Sequence, residues 1–192
     1  MAYCTVTNVK EYLGNTTTGD DALINSIIPR AQAAIDAYCH RSFEATADTT
    51  RTFDADRDTD GPVLYFDEDM ASITTVTNGD GSVIASSSYS TEPRNRTPYC
   101  AIKLKVSSGV VWEYDSNNDP EDAISVAGRW AWSVTAPNDI AHACIRLAGY
   151  FYRQKDAQVY DTTATPELGI ITVPTGFPKD VKNLIEPYRR RS

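Results

Sequence analysis

The sequence predicts an α+β protein, in which helices at both ends form one frame around an inserted antiparallel β module. Apolar residues recur every three or four positions near the N-terminus and again after residue 137, as in amphipathic helices. Between residues 50 and 132, short alternating runs rich in Thr, Ser, Val and Tyr are separated by turn residues, which is typical of antiparallel strands. We therefore expect a helical frame over residues 1–49 and 133–192, and a β module over residues 50–132.

The N-terminal segment predicts two helices. Thr7 is placed to cap a short helix that ends at Gly14, and Thr18 opens a capping-box sequence ahead of a longer apolar stripe over residues 23–38. Pro29 interrupts this stripe and should bend the helix or tighten its start. The stripe continues in phase beyond the proline, so we predict one helix.

The middle segment predicts at least five strands. The turn residues 78–81 (Asn-Gly-Asp-Gly) indicate a hairpin. The other predicted strands are residues 63–66, 101–106, 110–114 and 124–128.

Helices return after residue 137 and again after residue 178, and the chain between them is a long connection. Residues 156–176 contain Thr, Pro and Gly with an apolar patch at 168–173, and connections of this length in compact proteins are usually functional or mobile. The chain then ends in a basic segment, residues 179–191. This basic end could contact nucleic acid, lipid or an acidic protein surface, or be a solvated helix terminus, where cations are favourable.

The composition excludes several classes of protein. The 192 residues include 26 acidic and 18 basic side chains, a formal net charge of -8, which disfavours general nucleic-acid binding. No apolar run reaches transmembrane length and no secretory signal is recognisable, so we expect a soluble protein made in the cytoplasm. The four cysteines lack metal or redox spacing, and Cys39 and Cys144 are expected to be buried free thiols.

No pattern in the sequence predicts catalysis or a cofactor. His40 and His142 are isolated, without acidic neighbours at helical spacing. Nucleophile-elbow, phosphate-loop and dinucleotide-binding motifs are missing from the chain. We therefore expect neither an enzyme nor a cofactor-binding protein.

One acidic segment has the spacing of a calcium-binding loop. Asp56, Asp58 and Asp60 alternate ahead of Gly61, and Asp67 follows after five more residues. Alternating oxygen ligands around a glycine turn suit Ca²⁺, although Asp67 is shorter than the usual glutamate. The flanking residues predict strands rather than paired helices, so an acidic turn is the favoured interpretation and a calcium-dependent β-binding module the alternative.

Several segments, in order along nearly the whole chain, resemble the head–tail connector (adaptor) proteins of tailed bacteriophages, the gp6-like connector family. These are residues 21–24 and 34–38 with Arg41 and Phe43, Tyr89 with residues 92–95, and residues 124–130, 137–140 and 181–190. Pro29 and the larger β insert depart from the plainest helical members. A stopper or other tail-completion protein is the alternative within the same setting, but should be smaller and mostly β.

The resemblance implies a structural role in the neck of a virion. Members form a ring, usually dodecameric, beneath the portal protein; DNA passes through it without sequence-specific binding, and the next neck or tail-completion protein docks below. Two sets of site residues are hypotheses carried by this resemblance. The portal-docking set is Tyr188, Arg189, Arg190 and Arg191, and the channel or subunit-contact set is Tyr160, Glu167, Leu168, Ile170 and Ile171.

Overall fold

The computed structural model of the chain describes residues 2–15, 17–157, 162–165, 169–172 and 177–190. Their fold is α+β, which confirms the predicted class. They divide into two compact units: a β unit, Arg41–Ala136, and a helical unit formed by Ala2–His40 and Pro137–Ser192. No helix in the described part of the chain is both long and apolar enough to cross a membrane.

The helical unit contains four α-helices within the described residues. They are α1 (Val6–Leu13), α2 (Asp21–Cys39), α3 (Asn138–Ala157) and α4 (Lys179–Ile185), and a 3-10 turn over Glu186–Tyr188 follows α4. Two short strands, which we number β8 (Thr162–Thr165) and β9 (Gly169–Thr172), pair antiparallel. α3 contacts α1, α2 and α4. The buried stripes that meet there are those of α1 and α2 (Val9, Ile24, Ile28, Ala31, Ile35, Cys39) and of α3 and α4 (Ile140, Ala143, Cys144, Leu147, Ala148, Val181, Ile185).

The predicted N-caps of the first two helices were wrong, although both helices exist and α1 has the predicted C-cap, Gly14. The N-cap of α1 is Thr5 rather than Thr7, because Thr5 and Asn8 exchange side-chain to backbone hydrogen bonds in a reciprocal capping box. The N-cap of α2 is Asp20 rather than Thr18. The Asp20 carboxylate makes no cap hydrogen bond, since it accepts from Tyr152 Oη (2.6 Å) and Lys155 Nζ (2.9 Å) instead.

α2 is a single helix, as predicted. It continues through Pro29 and ends at Cys39, and its C-cap, His40, has a left-handed φ of 53°. Both histidines are exposed. Cys39 and Cys144 are buried and form no disulfide, as predicted.

The β unit consists of two antiparallel sheets. One has the order β1-β7-β4 and the other β2-β3-β6-β5. Their strands are β1 (Thr49–Phe53), β2 (Thr59–Asp60), β3 (Val63–Met70), β4 (Ser72–Thr77), β5 (Tyr89–Glu92), β6 (Tyr99–Leu104) and β7 (Ile124–Arg129). The core includes a cluster of Phe53, Phe66 and Trp130, whose ring centroids lie 5.1–5.7 Å apart.

The β unit extends beyond the predicted module of residues 50–132, because its two flanking segments bond to each other. Trp132 N–H donates to the carbonyl of Ser42 (2.8 Å), and Ser133 Oγ donates to that of Phe43 (3.0 Å). Arg41 also pairs with Asp69 (3.2 Å) and lies over the Trp132 ring. These contacts explain why the chain enters and leaves the β unit at one place.

One strand prediction was wrong, and the predicted hairpin is shorter than expected. The chain reverses direction at residues 78–81, where Thr77 and Val83 form an antiparallel bridge and Ile84 N–H donates to the Val76 carbonyl (2.8 Å). Residues 110–114, predicted as a strand, belong to no helix or strand. They are held by the buried side chain of Asn78, which donates to the Val111 carbonyl (2.9 Å) and accepts from Glu113 N–H (3.1 Å).

Gly79 is required by this close approach rather than by turn conformation. A Cβ at Gly79 would lie 2.1 Å from the carbonyl oxygen of Glu113 and 2.6 Å from that of Tyr114. These backbone atoms cannot move away from an added Cβ as the end of a flexible side chain can. The segment over residues 110–114 therefore depends on both Asn78 and Gly79.

We expect Gly79→Ala to lower the free energy of unfolding by about 1–3 kcal/mol, the usual cost of overpacking. Chemical denaturation followed by circular dichroism measures this change. Gly19→Ala is the matched control, since a Cβ at Gly19 meets nothing within 4 Å. Equal stability of the two variants would contradict the close-packing explanation.

Candidate docking surfaces

The C-terminal segment of the helical unit, residues 179–190, hydrogen-bonds to the end of α2. Val181 and Ile185 of α4 are fully buried. The Cys39 thiol donates to the Ile185 carbonyl (3.7 Å), and the Cys39 carbonyl accepts from Arg190 N–H (2.9 Å). An ion pair between Arg146 of α3 and Asp180 adds a contact on α4. Residues 179–190 are thus positioned by contacts with α2 and α3.

Tyr38 lies at the centre of a group of side chains that these contacts bring together. Its ring lies 5.3 Å from the Phe177 ring, and the cations of Lys182 and Arg189 lie 5.8 and 5.4 Å from its centroid. Its hydroxyl donates to the Glu186 carboxylate, and this hydrogen bond, followed by burial, raises the pKa of Tyr38. We call Tyr38, Phe177, Lys182, Glu186 and Arg189 the C-terminal surface. A cation on an aromatic ring, beside one carboxylate, is suited to recognising an acidic or aromatic protein surface.

The predicted docking residues differ in how much they expose. Arg189 is exposed on the C-terminal surface. Tyr188 is half-buried and donates to Asp139 Oδ2 (3.2 Å), and burial, followed by the charge of Asp139, raises the pKa of Tyr188. Arg190 is half-buried and bonded through its backbone to Cys39. Arg191 lies outside the described residues. Arg189 is therefore the residue of this set best placed to meet a partner.

Sequence reasoning missed the part that Tyr38 and Lys182 have in this surface. Tyr38 was assigned to the apolar stripe of α2, and its hydroxyl partner Glu186 is 148 residues away in the chain. No local spacing signals such a contact.

Most of the predicted channel or subunit-contact set is not described. Tyr160, Glu167 and Leu168 lie outside the described residues, while Ile170 and Ile171 belong to β9, opposite Ala164 and Thr163 of β8. Their contact role remains a prediction.

The four aspartates with calcium-loop spacing are placed in different settings. Asp58 accepts from the backbone N–H of Asp54 (2.9 Å), and Asp60 lies in β2. Asp67, in β3, is held by the Arg51 guanidinium at 2.9 and 3.0 Å. Asp56 is exposed in the turn. Among the described residues, no group of three or more His, Cys, Asp or Glu side chains could hold a metal ion.

Solved structures of gene transfer agent particles contain chains with a similar fold. A chain in the neck of an empty gene transfer agent (GTA) particle, computed with C6 symmetry, superposes with a TM-score of 0.59. It is 16% identical, and the match covers 97% of this chain and 89% of that one. A chain of the native GTA virion matches with the same TM-score and coverage and 18% identity. No curated protein matches the sequence.

The fold is thus one that also occurs in the neck of a gene transfer agent particle. Residues 2–191 match the model of the Head completion protein family, and the chain belongs to that family. The sequence resemblance to structural proteins of the head–tail junction is therefore confirmed for the family as a whole.

Asp36 of α2 gives the helical unit a pH-dependent stability. It is half-buried and accepts from Tyr3 Oη (2.6 Å), and burial is the main cause that raises its pKa to about 6. In an unfolded chain an aspartate titrates near pH ~3.9. The folded state therefore favours the protonated form, so this stabilisation is complete below pH ~4 and is lost as the pH rises through about 6.

We expect Asp36→Asn to stabilise the protein at about pH 7.5 and to have little effect at about pH 4.5. After allowance for solvent screening, the gain is about 1 kcal/mol, or about 2–4 °C in Tm. Thermal unfolding at both pH values measures it. Glu11→Gln, which removes an exposed carboxylate from α1, is the matched control. An Asp36→Asn shift of equal size at both pH values would show that ionisation of Asp36 is not the cause.

Proposed function

We propose that the chain is a structural head-completion subunit that forms a ring below the portal protein of a phage-like particle. The observation that carries this proposal is the family match over nearly the whole chain. The likeness in fold to a chain from a neck computed with C6 symmetry supports a cyclic arrangement. In such a ring DNA passes through the centre, and the next neck or tail-completion protein docks on the opposite side.

The C-terminal surface is our candidate for portal docking. Arg189 and Lys182 are exposed cations on a half-buried aromatic ring, and the surface is held in place by the buried residues Val181 and Ile185. A preorganised surface loses little conformational freedom on binding. The portal is therefore expected to present an acidic or aromatic patch to these two cations.

Another position in the neck is the second candidate function, because the family name does not fix the neighbour above or below. A tail-completion protein would bind the tail side and leave the portal free. Binding to isolated portal distinguishes the two. The calcium-dependent module gains no support from the four aspartates, given their separate hydrogen bonds and ion pairs.

Charge reversal on the C-terminal surface tests portal docking better than truncation. Removing residues 187–192 would also delete the hydrogen bonds of Tyr188 with Asp139 and of Arg190 with Cys39. Arg189→Glu leaves both in place. We expect Arg189→Glu to weaken binding to the cognate portal at least ~10-fold, or about 1.4 kcal/mol, and Lys182→Glu with Arg189→Glu to abolish it.

Mass photometry of portal mixed with each variant measures this affinity. Arg153→Glu reverses an exposed charge on α3 and is the matched control, with binding expected to equal that of the wild type. Wild-type affinity in the double variant would remove the C-terminal surface from the portal interface. Failure of the wild type to bind portal would favour the tail-completion role.

A further inference from the structure

The net charge of the chain arises entirely in the β unit. Residues 41–136 contain 16 acidic and 8 basic side chains, whereas the remaining residues contain 10 of each. The formal charge of -8 is therefore a property of the β unit, and the helical unit is neutral as a whole. Within the β unit, the two edges of the four-stranded sheet also differ in their charged residues.

One edge of the four-stranded sheet is acidic. β2 forms this edge, and the turn at residues 54–60 leads into it. Residues 115–122 lie against this turn, because Ala55 N–H donates to the Pro120 carbonyl (2.8 Å) and Asp122 N–H to Asp54 Oδ1 (3.0 Å). The two segments contain eight carboxylates and one cation, Arg57. We call them the acidic edge; its exposed members include Asp56, Asp60, Asp119, Glu121 and Asp122.

The opposite edge of the same sheet is basic. β5 forms it, and a pocket of about 560 Å³ lies beside β5, lined by Arg94, Lys105 and residues of β4, β5 and β6. The lining adds hydroxyl groups from Ser72, Ser86, Tyr89, Ser90, Thr91 and Tyr99, and none of the lining residues is acidic. Arg96, exposed in the loop after β5, extends the same charge. We call Arg94, Arg96 and Lys105 the basic edge.

We propose that neighbouring copies of the chain associate head to tail through the β unit, with the acidic edge of one copy against the basic edge of the next. This inference rests on the proposed function as a subunit of a ring. A ring needs two different complementary patches on each subunit, so that each copy contacts two neighbours. Opposite edges of one sheet, about 14 Å apart at the usual strand spacing, satisfy this requirement.

The chemistry of the pocket matches carboxylates. Arginine, lysine and hydroxyl groups are hydrogen-bond donors, and charge-assisted bonds to carboxylates are stronger than neutral ones. Arg94 is only loosely engaged within its own chain: its guanidinium donates to Ser90 Oγ at 3.5 Å, and its Nε lies 3.8 Å from Glu92 Oε1. Its side chain is 67% exposed, which leaves its donors available to a neighbour.

A second copy fits this pocket better than DNA does. A phosphate backbone would meet a unit of net charge -8, in which acidic side chains outnumber basic ones two to one. Without pairing of the edges, a ring would also bring acidic units together within a Debye length of about 10 Å. Contact between the acidic edge of one copy and the basic edge of the next removes part of that repulsion at the acidic edge, where it is largest.

Charge exchange tests the proposed contact. One variant carries Arg94→Glu and Arg96→Glu, a second carries Asp56→Arg and Asp60→Arg, and a third combines all four substitutions. Each protein is mixed with cognate portal, and the fraction in rings is measured by mass photometry and negative-stain microscopy. Thermal unfolding verifies that each variant is folded. The helical-unit changes Glu11→Arg and Arg153→Glu are the matched controls, at exposed sites with the same kinds of charge change.

We expect each two-site variant to reduce ring formation at least ~10-fold, and the four-site variant, or a mixture of the two, to restore it. The controls should assemble like the wild type. Normal rings in the two-site variants, or no recovery in the four-site variant, would overturn the inference while the proposed function stands. If the variant with Arg94→Glu and Arg96→Glu loses DNA binding while its rings stay intact, the basic edge binds DNA instead of a neighbouring copy. A wild type that forms no ring with portal would overturn the proposed function, and this inference with it.

Discussion

The attachment of the C-terminal segment to the end of α2 is the interaction on which the candidate docking surface depends. Cys39 bonds Ile185 through its thiol and Arg190 through its carbonyl, and the neighbouring Tyr38 gathers Glu186 and Arg189 around its ring. Two consecutive residues of one helix thus position the basic end of the chain. An otherwise short terminal segment becomes a defined surface, because its backbone and side chains are both held.

The two units contribute different physical properties to the proposed ring. The helical unit is neutral overall and presents local cations on an aromatic ring, whereas the β unit carries the whole net negative charge. This division is compatible with a subunit that binds the portal through its helical unit, and that binds neighbouring copies but does not retain DNA through its β unit. If the net charge of -8 were spread evenly over the chain, the two units would not differ in the partners that their charge favours.

The sequence predicted features set by local periodicity and missed those set by distant contacts. α2 was predicted through Pro29, because five buried residues keep the helical period on both sides of it. The cap at Asp20 was missed because its carboxylate is taken by Tyr152 and Lys155 of α3. Residues 110–114 have the composition of a strand, yet they hydrogen-bond to the buried side chain of Asn78 instead of to a neighbouring strand. The basic terminal segment was visible in the sequence, but its aromatic partner Tyr38 was not, since that contact spans the chain.

Electron cryomicroscopy of the neck of the assembled particle is the most direct test of the proposed ring. We expect a closed ring of this chain next to the portal, with the segment around Arg189 at the portal contact. A neck that contains the chain as a single copy, or only on the tail side, would contradict it.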